Sequence, residues 1–218
     1  MLALNPLRAS AGAGDRWQAA LEAAVELAAS GDASFVLADE SGAVVERLLT
    51  RLPGVERNLA VLSAVGWWHW HRSIATESKR DHLAAAMFLH PVHQVGLAVP
   101  DNLRELFDST TMQDFPLWAY LGAFLLERAT DVDDVKEAAR LLMLGAEAAP
   151  DDYDQLASLC ANLAAALREL YRDVREPELL SDAVRWQRKA LSSLPASHSL
   201  VPRLKIGLAE LLEETARG

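Results

Sequence analysis

Apolar residues recur at helical spacing through most of the chain. Trp17, Leu21, Ala24, Val25 and Ala28 share one face, Asp15 is a candidate N-cap and Gly31 a stop. Together they predict a first helix over 15–30. Residues 1–14 lack this period and carry pairs of small residues, so they read as a flexible N-terminal tail. Between 32 and 54 the pattern is ambiguous: Phe35, Val36 and Leu37 suit a short helix or a strand. Ser41-Gly42 reads as a break, and Val44 to Leu52 resumes the helical period ahead of Pro53. From Glu56 to Glu77 a long helix places Leu59, Leu62, Gly66, His69 and Ser73 on one stripe. Asp81 to His93 is its expected antiparallel partner, kinked or ended by Pro91. A short helix follows over 101–109, and Ser109, Thr110 and Thr111 offer caps for an apolar helix over 113–129.

The C-terminal half matches itself at a constant offset. Ala138 and Ala183, Pro150 and Pro195, Leu163 and Leu208, and Ala164 and Ala209 are each 45 residues apart. Such a register predicts stacked units, each made of a helix, a loop and a second helix ending in Ala-Pro or Leu-Pro. One hairpin alone leaves an apolar face exposed, so neighbours must cover it. Isoleucine occurs only at Ile74 and Ile206 while alanine and leucine are abundant, which favours helix over strand. The expectation is an all-α protein: one helical domain over 15–218, irregular over 15–110 and regular over 111–218.

The run Trp118-Ala-Tyr-Leu121-Gly122-Ala-Phe-Leu125 resembles the W-x2-L-G-x2-Y opening of a tetratricopeptide (TPR) repeat, with Leu125 in place of the tyrosine. Ala138, Gly145 and Pro150, recurring as Ala183, Ala190 and Pro195, resemble the small-small-Pro spacing of the same family. The loops depart from it, being longer than a compact TPR unit allows. Leu62 to Arg72, with Asp81 to Ala86, also looks like a helix pair of actinobacterial TPR proteins. In that group the repeats often precede a caspase-like CHAT protease domain; this chain carries no such module and resembles the regulatory half alone.

The resemblance implies antiparallel helix hairpins stacked as a short right-handed solenoid, and a non-enzymatic scaffold or adaptor that holds a protein or peptide in its concave groove. Carried onto matching positions, the groove would be lined by Trp67, Trp70 and His71, by Ala123, Leu126 and Glu127, and by Ala165, Arg168 and Glu169. The alternative is that the helix over 15–30 fills that groove. The last unit has only its first helix, Arg203 to Thr215, with Leu204, Leu208, Leu211 and Leu212 on one face. That face predicts dimerisation or docking.

Charge narrows the partners. With 21 basic and 31 acidic residues the net charge is −10, which disfavours nucleic acid and favours approach of a basic partner. No stretch suits a membrane span; Phe115 to Leu126 reads as a buried helix. Asp15 and the Ala-Gly pairs stand where a signal peptide would be apolar, and one cysteine suits a reducing compartment, so the expected location is cytoplasmic. A phosphate-binding glycine loop is absent, and no cofactor is implied.

The densest chemical signal is Trp67-Trp68-His69-Trp70-His71-Arg72. Indoles beside arginine suit a binding patch, and the second functional reading is a small-molecule sensor or enzyme using this region as a pocket. On a helical wheel His69 faces the expected core, whereas Trp67, Trp68 and His71 point away from that stripe and must pack on other helices or meet a partner. The histidines are poorly spaced for a metal: His69 and His71 face different sides, and Pro91 distorts His90-x-x-His93. Cys160 sits on a periodic helix as a small buried hydrophobe with no base beside it, and the aspartates at 131–134 read as helix caps. No catalytic residue is assigned.

Overall fold

The computed structural model describes residues 18–19, 21–23, 25–26, 30–51, 54–109 and 113–217, and every regular element among them is a helix. Contacts divide the chain into two compact units, residues 1–112 and 113–218. The division falls two residues from the point where the sequence pattern turns regular.

In the first unit the described residues between 18 and 26 are helical and Leu21 is fully buried. Asp15, Trp17, Ala24 and Ala28, and the tail over 1–14, lie outside the described residues. Helix α1 (Ser34–Leu37) and helix α2 (Asp39–Arg51) follow. The sequence break at Ser41-Gly42 is corrected here: the chain breaks at Ala38, whose backbone is extended, and α2 runs through Ser41 and Gly42. The buried Ser41 hydroxyl donates to the Ala38 carbonyl at 2.8 Å in the first turn of α2.

A 3-10 turn (Val55–Arg57) leads into helix α3 (Leu59–Thr76), three residues later than the pattern placed its start. Asn58 explains the shift, since its side chain accepts from the Val61 amide and caps the helix. Glu77, in the left-handed region, ends α3, and helix α4 (Lys79–Gln94) returns beside it. Gly66 is where they touch: a Cβ built there would lie 2.5 Å from Leu89 Cγ and 3.2 Å from Phe88 Cβ. Pro91 lies inside α4, which continues to Gln94 before Gly96 turns the chain with positive φ. Helix α5 (Asp101–Ser109) buries Leu103 and Phe107.

The second unit contains helices α6 (Phe115–Arg128), α7 (Val132–Ala148), α8 (Leu156–Val174), α9 (Pro177–Ser192) and α10 (Val201–Arg217). Each packs chiefly on the next in the chain. Val132 and Pro177 open α7 and α9, and Leu156 and Val201 open α8 and α10, 45 residues apart in both cases. Thr110 and Thr111, expected as caps, lie outside the described residues; α6 instead starts with Pro116 in its first turn, where a missing amide costs nothing. Glycine allows α6 and α7 to cross closely, because a Cβ at Gly122 would meet the Leu142 amide nitrogen at 2.9 Å. One continuous core joins all five helices, from Phe115 and Leu142 through Leu163 and Ala183 to Leu204 and Leu211.

That core corrects the C-terminal docking face. Leu204 and Leu211 are 7% and 3% exposed and belong to the unit's own core, Leu208 is half-buried against it, and only Leu212 is exposed. The reason is that α9 packs on α10, with Gln187 donating to the Leu204 carbonyl, and that Arg168 of α8 reaches Glu210 and Glu214. Ile206, at 62% exposure, is a second large apolar residue of α10 in solvent besides Leu212.

Candidate functional site

Two places collect the residues singled out in the sequence, one in each unit. In the first unit α3 carries the aromatic run. His69 is buried, and its Nδ1 donates to Asp81 Oδ1 at 2.8 Å. Arg72 Nε reaches the other Asp81 oxygen at 3.4 Å, while its Nη1 donates to the Val36 carbonyl at 3.3 Å. Asp81 is held below the usual carboxylate range, first by the His69 hydrogen bond and then by Ser78 and the nearby positive charges. His69 thus faces the interior as the wheel implied.

Of the two outcomes open to Trp68, packing on another helix is the one observed: it is 6% exposed, and its indole N–H donates to Ser41 Oγ of α2 at 3.0 Å. Besides α4, α3 packs on α1 and meets α2 through this bond. Trp67 and His71, one turn apart, stack with ring centroids 5.8 Å apart, and Trp70 packs on His82 at 5.5 Å. The His71 Nε2 atom is buried without a hydrogen-bond partner.

Burial lowers the His71 pKa, so the neutral imidazole is the folded form. A depressed basic group contributes stability that is present above its unfolded pKa and lost as pH falls through the folded one. Stability should therefore drop as pH falls below 6.5, and His71→Phe, which keeps a ring on Trp67, should flatten that segment of a urea-midpoint-against-pH curve. A second loss, from Asp81, belongs below 3.8 and should survive in His71→Phe.

The remaining histidines diverge. His93 Nε2 pairs with Asp108 at 3.0 Å, and His90 packs edge-on to Phe107. Among the described residues no three His, Cys, Asp or Glu side chains are grouped to hold a metal ion. Cys160 is fully buried, and burial pushes its thiol up to about 11. No described helix is long and apolar enough to cross a membrane.

In the second unit, the end of α6, the turn after it and the start of α7 face the C-terminal half of α8 across a cleft of about 670 Å³. Leu126, Val132 and Val135, at least partly buried, and the exposed Ala165 supply its apolar lining, and the exposed Asp131, Glu169 and Asp173 its charged rim. The turn is fixed from both sides. Asp131 Oδ1 accepts from the amides of Asp133 and Asp134 at 2.9 Å, and Asp134 Oδ2 accepts from the Thr130 amide at 2.9 Å. The Thr130 contacts hold the Asp134 carboxyl below its ordinary range.

Of the groove residues expected in this unit, Leu126 and Glu169 line the cleft, together with Ala165. Glu127 does not; it is exposed and pairs with Arg128 at 2.9 Å. Arg168 is also redirected. Its Nε lies 3.0 Å from both oxygens of Glu214 and its Nη1 2.6 Å from Glu210, so it ties α8 to α10. These contacts raise the Arg168 pKa and hold Glu214 below its usual range. A fork of this kind is stronger than a single exposed pair. Arg168→Met should loosen α10, speeding amide exchange in Val201–Arg217 severalfold while leaving α6 and α7 unchanged.

Sequence reasoning passed over Asp131 and Asp173 as part of a site. Asp131 was read only as a cap, which it is. Asp173 had a signal, being one turn beyond Glu169 and two beyond Ala165 on the same face. Trp67, Trp70 and His71, expected in the same groove, belong to the first unit, where Trp67 stacks on His71 and Trp70 packs on His82. Comparison with protein-family models, curated proteins and solved structures returns no match.

Proposed function

We propose that the chain is a non-enzymatic recognition module, a divergent TPR-like array of helix hairpins that holds a peptide or protein segment in the cleft between α6, α7 and α8. The observation that carries this reading is the cleft itself, where an apolar floor and a polar rim meet around a turn locked by Asp131 and Asp134. A pre-formed receptor loses less conformational entropy on binding. The 45-residue recurrence of helix starts supports the stacked-hairpin description. A reducing, cytoplasmic setting suits the buried thiol of Cys160.

The test is selection of a random-peptide display library on the immobilised full chain, with Ala165→Arg as the control that fills the cleft floor. Peptides enriched on the natural chain and lost on Ala165→Arg are the expected result. Failure to enrich any clone over bare support would overturn the reading.

The second reading, a small-molecule sensor or enzyme at Trp67–Arg72, is favoured by one observation: the buried, unpartnered Nε2 of His71 beside the Trp67 ring. Asp81, Val36 and Ser41 already engage His69, Arg72 and Trp68, so the reading rests on Trp67 and His71. A stoichiometric small molecule seen by native mass spectrometry, and lost in His71→Phe, is the result it requires.

A further inference from the structure

The occupant of the cleft has a chemistry that the rim and the surrounding helix ends define. Asp131, Glu169 and Asp173 are its charged lining groups, and no lysine or arginine lines it. Two helix C-termini close on the same place, those of α6 at Arg128 and of α8 at Val174, and each adds partial negative charge. The one N-terminus there, that of α7, carries Asp131, Asp133 and Asp134, which outweigh its positive end. The nearby cations have contacts outside the lining: Arg128 lies over the Phe124 ring, the exposed Lys136 bonds the exposed Asp133, and Arg175 lies over Tyr171. Arg172 contacts Glu169 at 2.6 Å, but both side chains are about half exposed. Such a pair contributes under about 1 kcal/mol and yields to an incoming cation.

Spacing on α8 sets a register. Ala165, Glu169 and Asp173 stand at successive turns of one face, about 6 Å apart along the axis. Alternate side chains of an extended peptide repeat every ~6.7 Å. An extended segment laid along α8 would therefore present an apolar side chain over Ala165 and the floor of Leu126, Val132 and Val135, then a cation at Glu169 and another at Asp173. Resting on the recognition reading above, we propose that the cleft binds an extended, basic segment of a partner protein, of the pattern apolar-x-basic-x-basic. The net charge of −10 adds long-range attraction for such a segment.

The test is fluorescence polarisation on the full chain with labelled peptides, Leu-Gly-Lys-Gly-Lys in a Gly/Ser frame, its Lys→Glu counterpart and its Leu→Ser counterpart. The lysine peptide should bind at least tenfold more tightly than either counterpart. Glu169→Gln with Asp173→Asn, two exposed changes that keep shape and whose folding is checked by circular dichroism, should weaken it about tenfold. Raising salt to about 0.5 M should weaken the natural pair severalfold and leave the double variant's binding little changed. Equal binding of the glutamate peptide, or an unaltered affinity in the double variant, would overturn the basic-segment assignment. Should display selection still enrich peptides lost on Ala165→Arg, recognition stands and only the partner's chemistry is refuted; should nothing enrich, both fall.

Discussion

Gly122→Ala should destabilise the second unit even though alanine is the better helix former. In a helix interior alanine gains about 1 kcal/mol over glycine. Against that gain, the new Cβ would lie 2.7 Å from Leu142 Cγ, 2.9 Å from the Leu142 amide nitrogen and 3.0 Å from the Ala138 carbonyl oxygen. The leucine tip can rotate, but the two backbone atoms cannot, so α6 and α7 must move apart. Overpacking of this kind costs about 1–3 kcal/mol or more, and the net effect is a loss. The same substitution at Gly42, inside α2 with nothing within 4 Å of the added carbon, should stabilise by about 0.5–1 kcal/mol. Urea unfolding of both variants, with amide exchange to separate the two units, measures the contrast. A Gly122→Ala chain more stable than the natural one would mean that α6 and α7 do not cross at this distance.

Leu163→Ala should cost far more than Leu208→Ala, although the two leucines are partners in the 45-residue register. Leu163 is fully buried in the middle of α8 and sits in the core that links all five helices. Truncating it removes transfer energy and leaves a cavity that neighbours on both sides hold open, about 2–5 kcal/mol. Leu208 packs against the same core but is half-buried on α10, the last helix of the unit, where solvent replaces the next neighbour. Its loss should cost about 1 kcal/mol. Equal midpoint shifts for the two variants in urea unfolding would show that α10 is as enclosed as α8.

Both contrasts illustrate how far the pattern could be read. Helix spans with strong periods were legible: Asp101–Ser109 coincides with the expected short helix, and α6 differs from its expected span by two residues at the start and one at the end. Local chemistry was legible too, as with the cap at Asp131. Segments whose state depends on a distant partner were not. Ser41-Gly42 looks like a break until Trp68, 27 residues away, donates to the Ser41 hydroxyl inside the core. Trp68 in turn lay off the stripe on a wheel, and only the fold shows that another helix, not a partner, covers it.

At the candidate site the division is the same. Leu126 and Glu169 were expected only from the TPR groove pattern carried onto this chain, at the places that follow the small residue of each first helix, and both line the cleft. Whether a charged neighbour also lines the cleft depends on what stands opposite. Arg168 and Glu169 are adjacent in sequence, yet Glu210 and Glu214 draw the arginine towards α10 while the glutamate stays on the cleft rim.

The all-helical class, the order of the helices and the 45-residue register follow from local pattern, because period, caps and small residues act over one or two turns. Which leucines of α10 are covered, where Arg168 reaches and the meeting of Asp131, Glu169 and Asp173 at one cleft come from packing between helices. Those outcomes depend on contacts between different helices, as between Gln187 and Leu204 or between Arg168 and Glu210 or Glu214, and no local pattern encodes them.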